Sequence, residues 1–270
     1  ASTTIAGVGG ASYTADWPVD FASLEGDNTN YVSVEFYDIA GNTTTITDAF
    51  RVLKDTTPPA YLNGEAGGDL TWRKAGRNYN VDFNDAASQL AGAKYAARTG
   101  PNYTGTLKIA STSIAGVAGA AFAADWAVDF ASLEGDNTNY VSVEFYDIAG
   151  NTTTITDAFM VLKDTTPPAY VNGEAGGDLT WRKAGRNYNL DFNDAASGLS
   201  GAKYAARTGP NYTGTLKIAS TSIAGVAGAA FAADWAVDFA SLEGDNTNYI
   251  SVEFYDIAGN TTTITDAFRV

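Results

Sequence analysis

The chain has no cysteine and no histidine in 270 residues, one methionine, and 16 Lys and Arg against 31 Asp and Glu. Each shortage closes a class of chemistry. Without cysteine there are no disulfides, no thiolate nucleophile and no thiolate metal site. Without histidine there is no side chain that ordinarily titrates near neutral pH, and no imidazole ligand. The missing cysteine does not argue against an extracellular setting. It means that stability there comes from packing or from ions with oxygen ligands. The formal net charge is −15 and the pI is near 4.2. Binding to a phosphate backbone rests on Lys and Arg, so no nucleic-acid partner is expected. An acidic surface instead favours solubility and attracts cations. Long apolar runs are missing too. The most apolar stretch, 114–130, is mostly Ala and Gly and contains Asp125, a poor match to a membrane-spanning helix.

What is present is a repeat. Trp17, Trp126 and Trp235 each sit in Ala-Asp-Trp, followed after one residue by VDFASLEGDN, at a spacing of 109 residues. Asp55 and Asp164, each opening DTTPP, keep the same spacing. That period is close to the ~100 residues of a two-sheet β-domain and well beyond the ~20–50 of common solenoids. Each repeat therefore reads as a complete globular unit. Residues 1–54 match the second half of a repeat, 55–163 form one complete repeat and 164–270 another. Differences between copies are mild: Leu62 becomes Val171, Val81 becomes Leu190, Val32 becomes Ile250, Tyr13 becomes Phe122 and Arg51 becomes Met160. The first three keep volume and cost little in a core. Copies adapted to different ligands would differ in their loops, and these are nearly identical. Length is what such an array delivers.

Within a repeat, strand signals recur at short intervals. Residues 60–62 start a first strand and 79–83 a second. Residues 93–98 and 103–110 give two more. The Ala/Gly-rich run to Ala124 is open between a tightly packed strand and a helical piece, and 126–130 reads as a strand. The loop 131–139 has room for one helical turn. The clearest strand is 140–147, where Val141, Val143 and Phe145 alternate with Ser142, Glu144 and Tyr146. The Asp147–Asn151 turn follows, and 152–162 returns as the last strand. The Pro-Pro of each DTTPP fixes φ and forces extended geometry before it, giving a short stiff joint.

These motifs carry a resemblance. DTTPP at the unit start, VDFNDAASQLAG (LDFNDAASGLSG in the last copy), SLEGDNTNYVSVEFYDIAGNT and a closing V-x-K-DTTPP resemble bacterial immunoglobulin-like (Big-type) tandem repeats of large cell-surface adhesins and fibres. The likeness spans the whole unit. It implies an all-β chain of immunoglobulin-like or fibronectin III-like seven-strand Greek-key β-sandwiches joined end to end, an extended array, and calcium at the junctions between units.

In such a sandwich one joint gathers Glu134 and Asp136 from the loop before the 140–147 strand, Asp164 from the linker, and Asp194 and Asp256 from two loops of the next unit. The other joint gathers Glu25, Asp27, Asp55, Asp85 and Asp147. Carboxylates brought together repel unless screened, and calcium takes oxygen ligands in the flexible geometry that loops provide. The competing reading is that each Asp caps its own turn. There is no dense Asp-x-Asp-x-Asp loop. Trp72 and Trp126 read either as sugar-stacking platforms or as core. Arg73, Lys74 and Arg77 read either as a patch that meets an acidic loop or as a solvated turn. Asp125 with Asp129 resembles an acid/base pair, but the pair recurs in every copy within a strand pattern, where solvation explains it. Asn42 and Asn102 open glycosylation sequons, expected to stay unused in a bacterial protein.

No nucleophile–base set and no cofactor loop is recognisable, so an enzyme is not expected. The chain reads as a window on a longer extracellular or cell-surface array, a structural spacer whose partners are neighbouring identical repeats. The half-repeat 1–54 lacks the strands that would cover it, and it is met either by a preceding segment or by strand exchange with another copy. Lateral association of fibres is a further contact of that kind. The other functional reading is a multivalent module that binds glycan or protein through its loops.

Overall fold

The computed structural model describes residues 2–65, 68–174 and 179–270. Among these residues the regular structure is β-strand, with three short 3-10 turns and no α-helix. The first copy gives a hairpin of β1 (Asn28–Tyr37) and β2 (Thr43–Lys54). The middle copy gives β3 (Ala60–Gly64), β4 (Asp69–Arg73), β5 (Asn78–Tyr79), β6 (Val81–Asn84), β7 (Leu90–Arg98), β8 (Leu107–Ile114), β9 (Ala121–Phe122), β10 (Trp126–Ala127), β11 (Asn137–Asp147) and β12 (Thr152–Lys163). The last copy gives β13 (Ala169–Gly173), β14 (Asn187–Tyr188), β15 (Leu190–Asn193), β16 (Leu199–Arg207), β17 (Leu216–Ser222), β18 (Ala230–Phe231), β19 (Trp235–Ala236), β20 (Tyr249–Asp256) and β21 (Thr261–Arg269).

In the middle copy one sheet runs β4-β12-β11-β7-β8, a second runs β3-β6-β9, and β10 pairs with β5. The last copy gives β17-β16-β20-β21, β13-β15-β18 and β14-β19, and among the described residues no strand matching β4 lies beside β21. β11 lies antiparallel between β7 and β12, while β4 joins β12 in parallel. Strict alternation puts Val141, Val143 and Phe145 on one face of β11, and all three are fully buried. Phe83 of β6 stacks on Phe145 of β11 at 4.3 Å between ring centroids, and Tyr79 of β5 stacks on Phe159 of β12 at 4.6 Å. These pairs hold the sheets face to face. Each buried ring contributes on the order of 1.5–3 kcal/mol of transfer free energy. Tyr188, Phe192, Phe254 and Phe268 build a second core that shares no residue with the first.

A bulge interrupts the longest ladder. Between Val141 and Val143 the partner jumps from Phe159 to Ile155, so Ser142 faces three residues. Asp157 sits there at φ 50°. Its N–H donates to Ser142 Oγ at 3.0 Å, and its Oδ2 accepts from the Asn102 N–H at 2.6 Å. Asp48 with Ser33 and Asp266 with Ser251 repeat the device.

Four local expectations are revised. The strand expected at 103–110 begins at Leu107, because Asn102 and Tyr103 take left-handed turn conformations. The Ala/Gly run yields only the two-residue β9. The strand expected at 126–130 stops after Ala127. Asp129 then caps a 3-10 turn, accepting from Ser132 Oγ at 2.6 Å. The basic turn around Trp72 contains a strand, β4.

Candidate functional site

The most highly connected residue at a joint is Asp164, which is fully buried. Its N–H donates to the Arg73 carbonyl at 3.0 Å, tying it to β4 of the middle copy. Its carbonyl accepts from Asn260 Nδ2 at 3.1 Å and its Oδ2 accepts from the Ser197 N–H at 3.1 Å, tying it to two loops of the last copy. Its Oδ1 accepts from the Thr166 N–H at 3.0 Å, which holds the extended approach to Pro167. Thr262 Oγ1 then donates to the Pro168 carbonyl at 2.5 Å. The first joint repeats the set. Asp55 Oδ2 accepts from the Ser88 N–H at 3.0 Å, the Asp55 carbonyl from Asn151 Nδ2 at 3.3 Å, and the Pro59 carbonyl from Thr153 Oγ1 at 2.6 Å.

Around each linker aspartate two more converge. One carboxylate oxygen from each of Asp164, Asp194 and Asp256 lies within 4.8 Å of the others, and so do those of Asp55, Asp85 and Asp147. Asp85, Asp147, Asp194 and Asp256 are buried, as Asp164 is, and Asp55 is half-buried. The other four expected ligands lie outside these groups. Glu134 pairs with Lys108. Asp136 accepts from Thr166 Oγ1 at 2.7 Å, and Asp27 from Thr57 Oγ1 at 2.6 Å, so both clasp the linker by hydrogen bonds. Glu25 sits beside Asn30, whose side chain closes the loop through the Glu25 backbone at 2.8 Å.

Turn capping accounts for part of each group. Asp147 Oδ1 accepts from the Asn151 N–H and Asp256 Oδ1 from the Asn260 N–H, both at 2.8 Å. Asp38 makes the same bond to Asn42 at 2.8 Å in the first copy, where no group of three forms among the described residues. The turn thus needs no neighbouring carboxylates, and their convergence is an additional feature. Burial pushes Asp164 above the ordinary carboxylate range, and the charge of Asp194 adds to this, against hydrogen bonds from Ser197 and Thr166. Asp136 is held below it by the Thr166 hydroxyl. Three oxygens within 4.8 Å span about twice the ~2.3–2.6 Å of a calcium–oxygen contact, and carboxylate is the hard donor that ion takes. Each oxygen that accepts an N–H keeps a further lone pair. The donor set therefore fits a hard divalent cation, with Asp164, Asp194 and Asp256 as its holders at one joint and Asp55, Asp85 and Asp147 at the other.

The remaining candidates resolve into structure. Trp126 is core, tilted against Tyr95 at 5.0 Å and edge-on to Phe159 at 5.8 Å. Trp72 lies in β4, half-buried. Arg73 and Arg77 pair with Asp69, and Arg77 also with Glu65 at 2.8 Å, so this cluster is internally neutralised. Lys74 reaches the Gly259 carbonyl of the next copy. Ser88, Ser197, Asn151 and Asn260 were not singled out in sequence. The signal was there, since each recurs at the 109-residue spacing beside an aspartate already noted. No family model matches this chain, and comparison with curated proteins finds no match.

Proposed function

We propose that this chain is a structural spacer of an extracellular bacterial fibre, adhesin stalk or surface layer. Its units are immunoglobulin-like or fibronectin III-like Greek-key sandwiches joined end to end. The strand order supports that class: β3, β6 and β9 share one sheet while β4, β7, β8, β11 and β12 share the other, so the chain crosses between layers repeatedly. The observation that carries the mechanical reading is Asp164. One linker residue is bonded backward to Arg73 and forward to Ser197 and Asn260, and Asp55 repeats its forward bonds to Ser88 and Asn151. A joint held on both sides and followed by two prolines transmits direction from one unit to the next. Calcium held by the three aspartates would remove their mutual repulsion and stiffen the joint further.

The cleft beside this joint is lined by Asp136, Thr166, Pro167, Asn193 and Asp194, with no aromatic side chain, so loop-borne glycan binding gains no support there. The test is thermal unfolding of the 270-residue protein in calcium and then in excess chelator. The reading predicts a higher melting temperature in calcium, lost in Asp164→Ala. An unchanged melting temperature would remove calcium and leave the joint to its hydrogen bonds and prolines.

A further inference from the structure

The pair Asn63-Gly64 of β3 recurs as Asn172-Gly173 of β13, and no other asparagine of the chain precedes glycine. Both asparagines are exposed. β3 lies at the edge of its sheet and carries a bulge at Leu62, between the pairs Tyr61↔Phe83 and Asn63↔Asp82. The Glu65 N–H donates to the Asn80 carbonyl at 3.0 Å. Bonding alternates along an antiparallel ladder. At the next pair, Gly64↔Val81, the Gly64 N–H therefore faces away from β6, toward the edge of the sheet. Packing keeps glycine there, since a Cβ at residue 64 would lie 2.7 Å from the Tyr61 hydroxyl. The Asn63 side chain is held from the neighbouring strand segment: Asn80 Nδ2 donates to Asn63 Oδ1 at 3.2 Å. In the last copy the amide is turned the other way. Asn172 Nδ2 donates to Asp191 Oδ2 at 3.0 Å, and among the described residues no donor reaches Asn172 Oδ1.

These groups supply what an intramolecular amide displacement requires. The nucleophile is a backbone nitrogen outside the ladder and unhindered by a Cβ. The electrophile is the Asn63 side-chain carbonyl, and Asn80 Nδ2 stands at the oxygen on which negative charge develops. We propose that Asn63-Gly64 is a self-modifying site, with Asn172-Gly173 its slower counterpart. The Gly64 nitrogen bonds to Asn63 Cγ, the Cγ–Nδ2 bond breaks, and Nδ2 leaves as ammonia with the proton that Gly64 gives up. Water then opens the cyclic imide at either carbonyl and leaves aspartate, or its β-linked isomer, at residue 63. Local opening at the bulge gives the imide its geometry, and a five-residue edge strand opens more readily than a central one. The product is not neutral for the fold. A carboxylate at residue 63 faces Asp82 directly across the ladder, a like-charge pair that weakens β3, and the β-linked isomer also lengthens the backbone. Each complete repeat thus carries a slow, irreversible timer in the strand that follows its Pro-Pro linker. This goes beyond the spacer reading and does not rest on it.

The experiment incubates the 270-residue protein in mildly alkaline buffer and follows peptides containing residues 63 and 172 by mass spectrometry, where each conversion adds about 1 Da. In the folded protein residue 63 is expected to convert about threefold or more faster than residue 172. In denaturant the two should convert at equal rates, because their surroundings, L-N-G-E and V-N-G-E, differ at one residue. This comparison needs no variant. Asn80→Ala should then bring residue 63 down to the rate of residue 172 and leave residue 172 unchanged. Converted protein, separated by its added negative charge, should exchange its amides across 60–64 about tenfold faster or more. A folded protein that gains no mass at residue 63 would overturn the proposal. So would a folded-state rate at residue 172 equal to or above that at residue 63, or a difference between the sites that survives Asn80→Ala.

Discussion

Phe145 and Phe36 occupy the same place in the same sequence, VEFYDIAGN, and one is sealed in a core while the other is half in water. Identical local propensity with different burial separates transfer free energy from everything else. Phe145→Ala is expected to cost about 3–5 kcal/mol in chemical denaturation, and Phe36→Ala about 1 kcal/mol or less. Equal losses would mean that the first hairpin has a packed core after all. Asp164 gives a second residue-scale outcome. Its folded pKa is raised, so it favours folding when protonated. That contribution is complete below the unfolded value of ~4 and disappears as pH rises through the folded value. Asp136, Asp69 and Glu65 are lowered, so they act in the opposite sense, but only below the ordinary carboxylate range. In chelator, acidifying through the raised folded value of Asp164 toward the unfolded value of ~4 is therefore expected to raise stability, and Asp164→Asn to flatten the dependence. Stability that falls over that interval would show that hydrogen bonds outweigh burial at this carboxyl.

At the scale of elements, legibility followed periodicity. β11 and β12 were readable because a clean two-residue alternation marks a half-buried strand. β4 was not. Its five residues, Asp69–Arg73, precede a run of basic residues, and the partners that neutralise Arg73 and Arg77 lie before it at Asp69 and Glu65. The site divides the same way. Asp164, Asp194 and Asp256 could be placed together from loop positions in a sandwich. Glu134 could not be excluded in advance, because it is captured by Lys108, next to Leu107 at the start of β8, a contact that no local pattern announces. The bulge was invisible for another reason, since only a left-handed Asp157 makes three residues face one. Asp157→Ala loses the bond to Asn102 and strains the backbone, for about 1–2 kcal/mol by denaturant titration. Asp157→Gly keeps the backbone relaxed and should cost less than Asp157→Ala. The reverse order would place the effect in the side chain's partners alone.

Over the whole molecule, two separate cores recur at the repeat spacing, and each linker is bonded into the unit that follows it. If the joints are stiff, length adds with copy number, at ~30–40 Å per unit from strands of ~7–10 residues. The direct test is small-angle X-ray scattering of the 270-residue protein. A compact globule of this length would have a radius of gyration of about 18 Å. The account predicts a clearly larger value with a maximum dimension of about 100 Å, unchanged between dilute and concentrated salt. A radius near 18 Å, or one that shifts with conditions as a flexible linker's would, would contradict it.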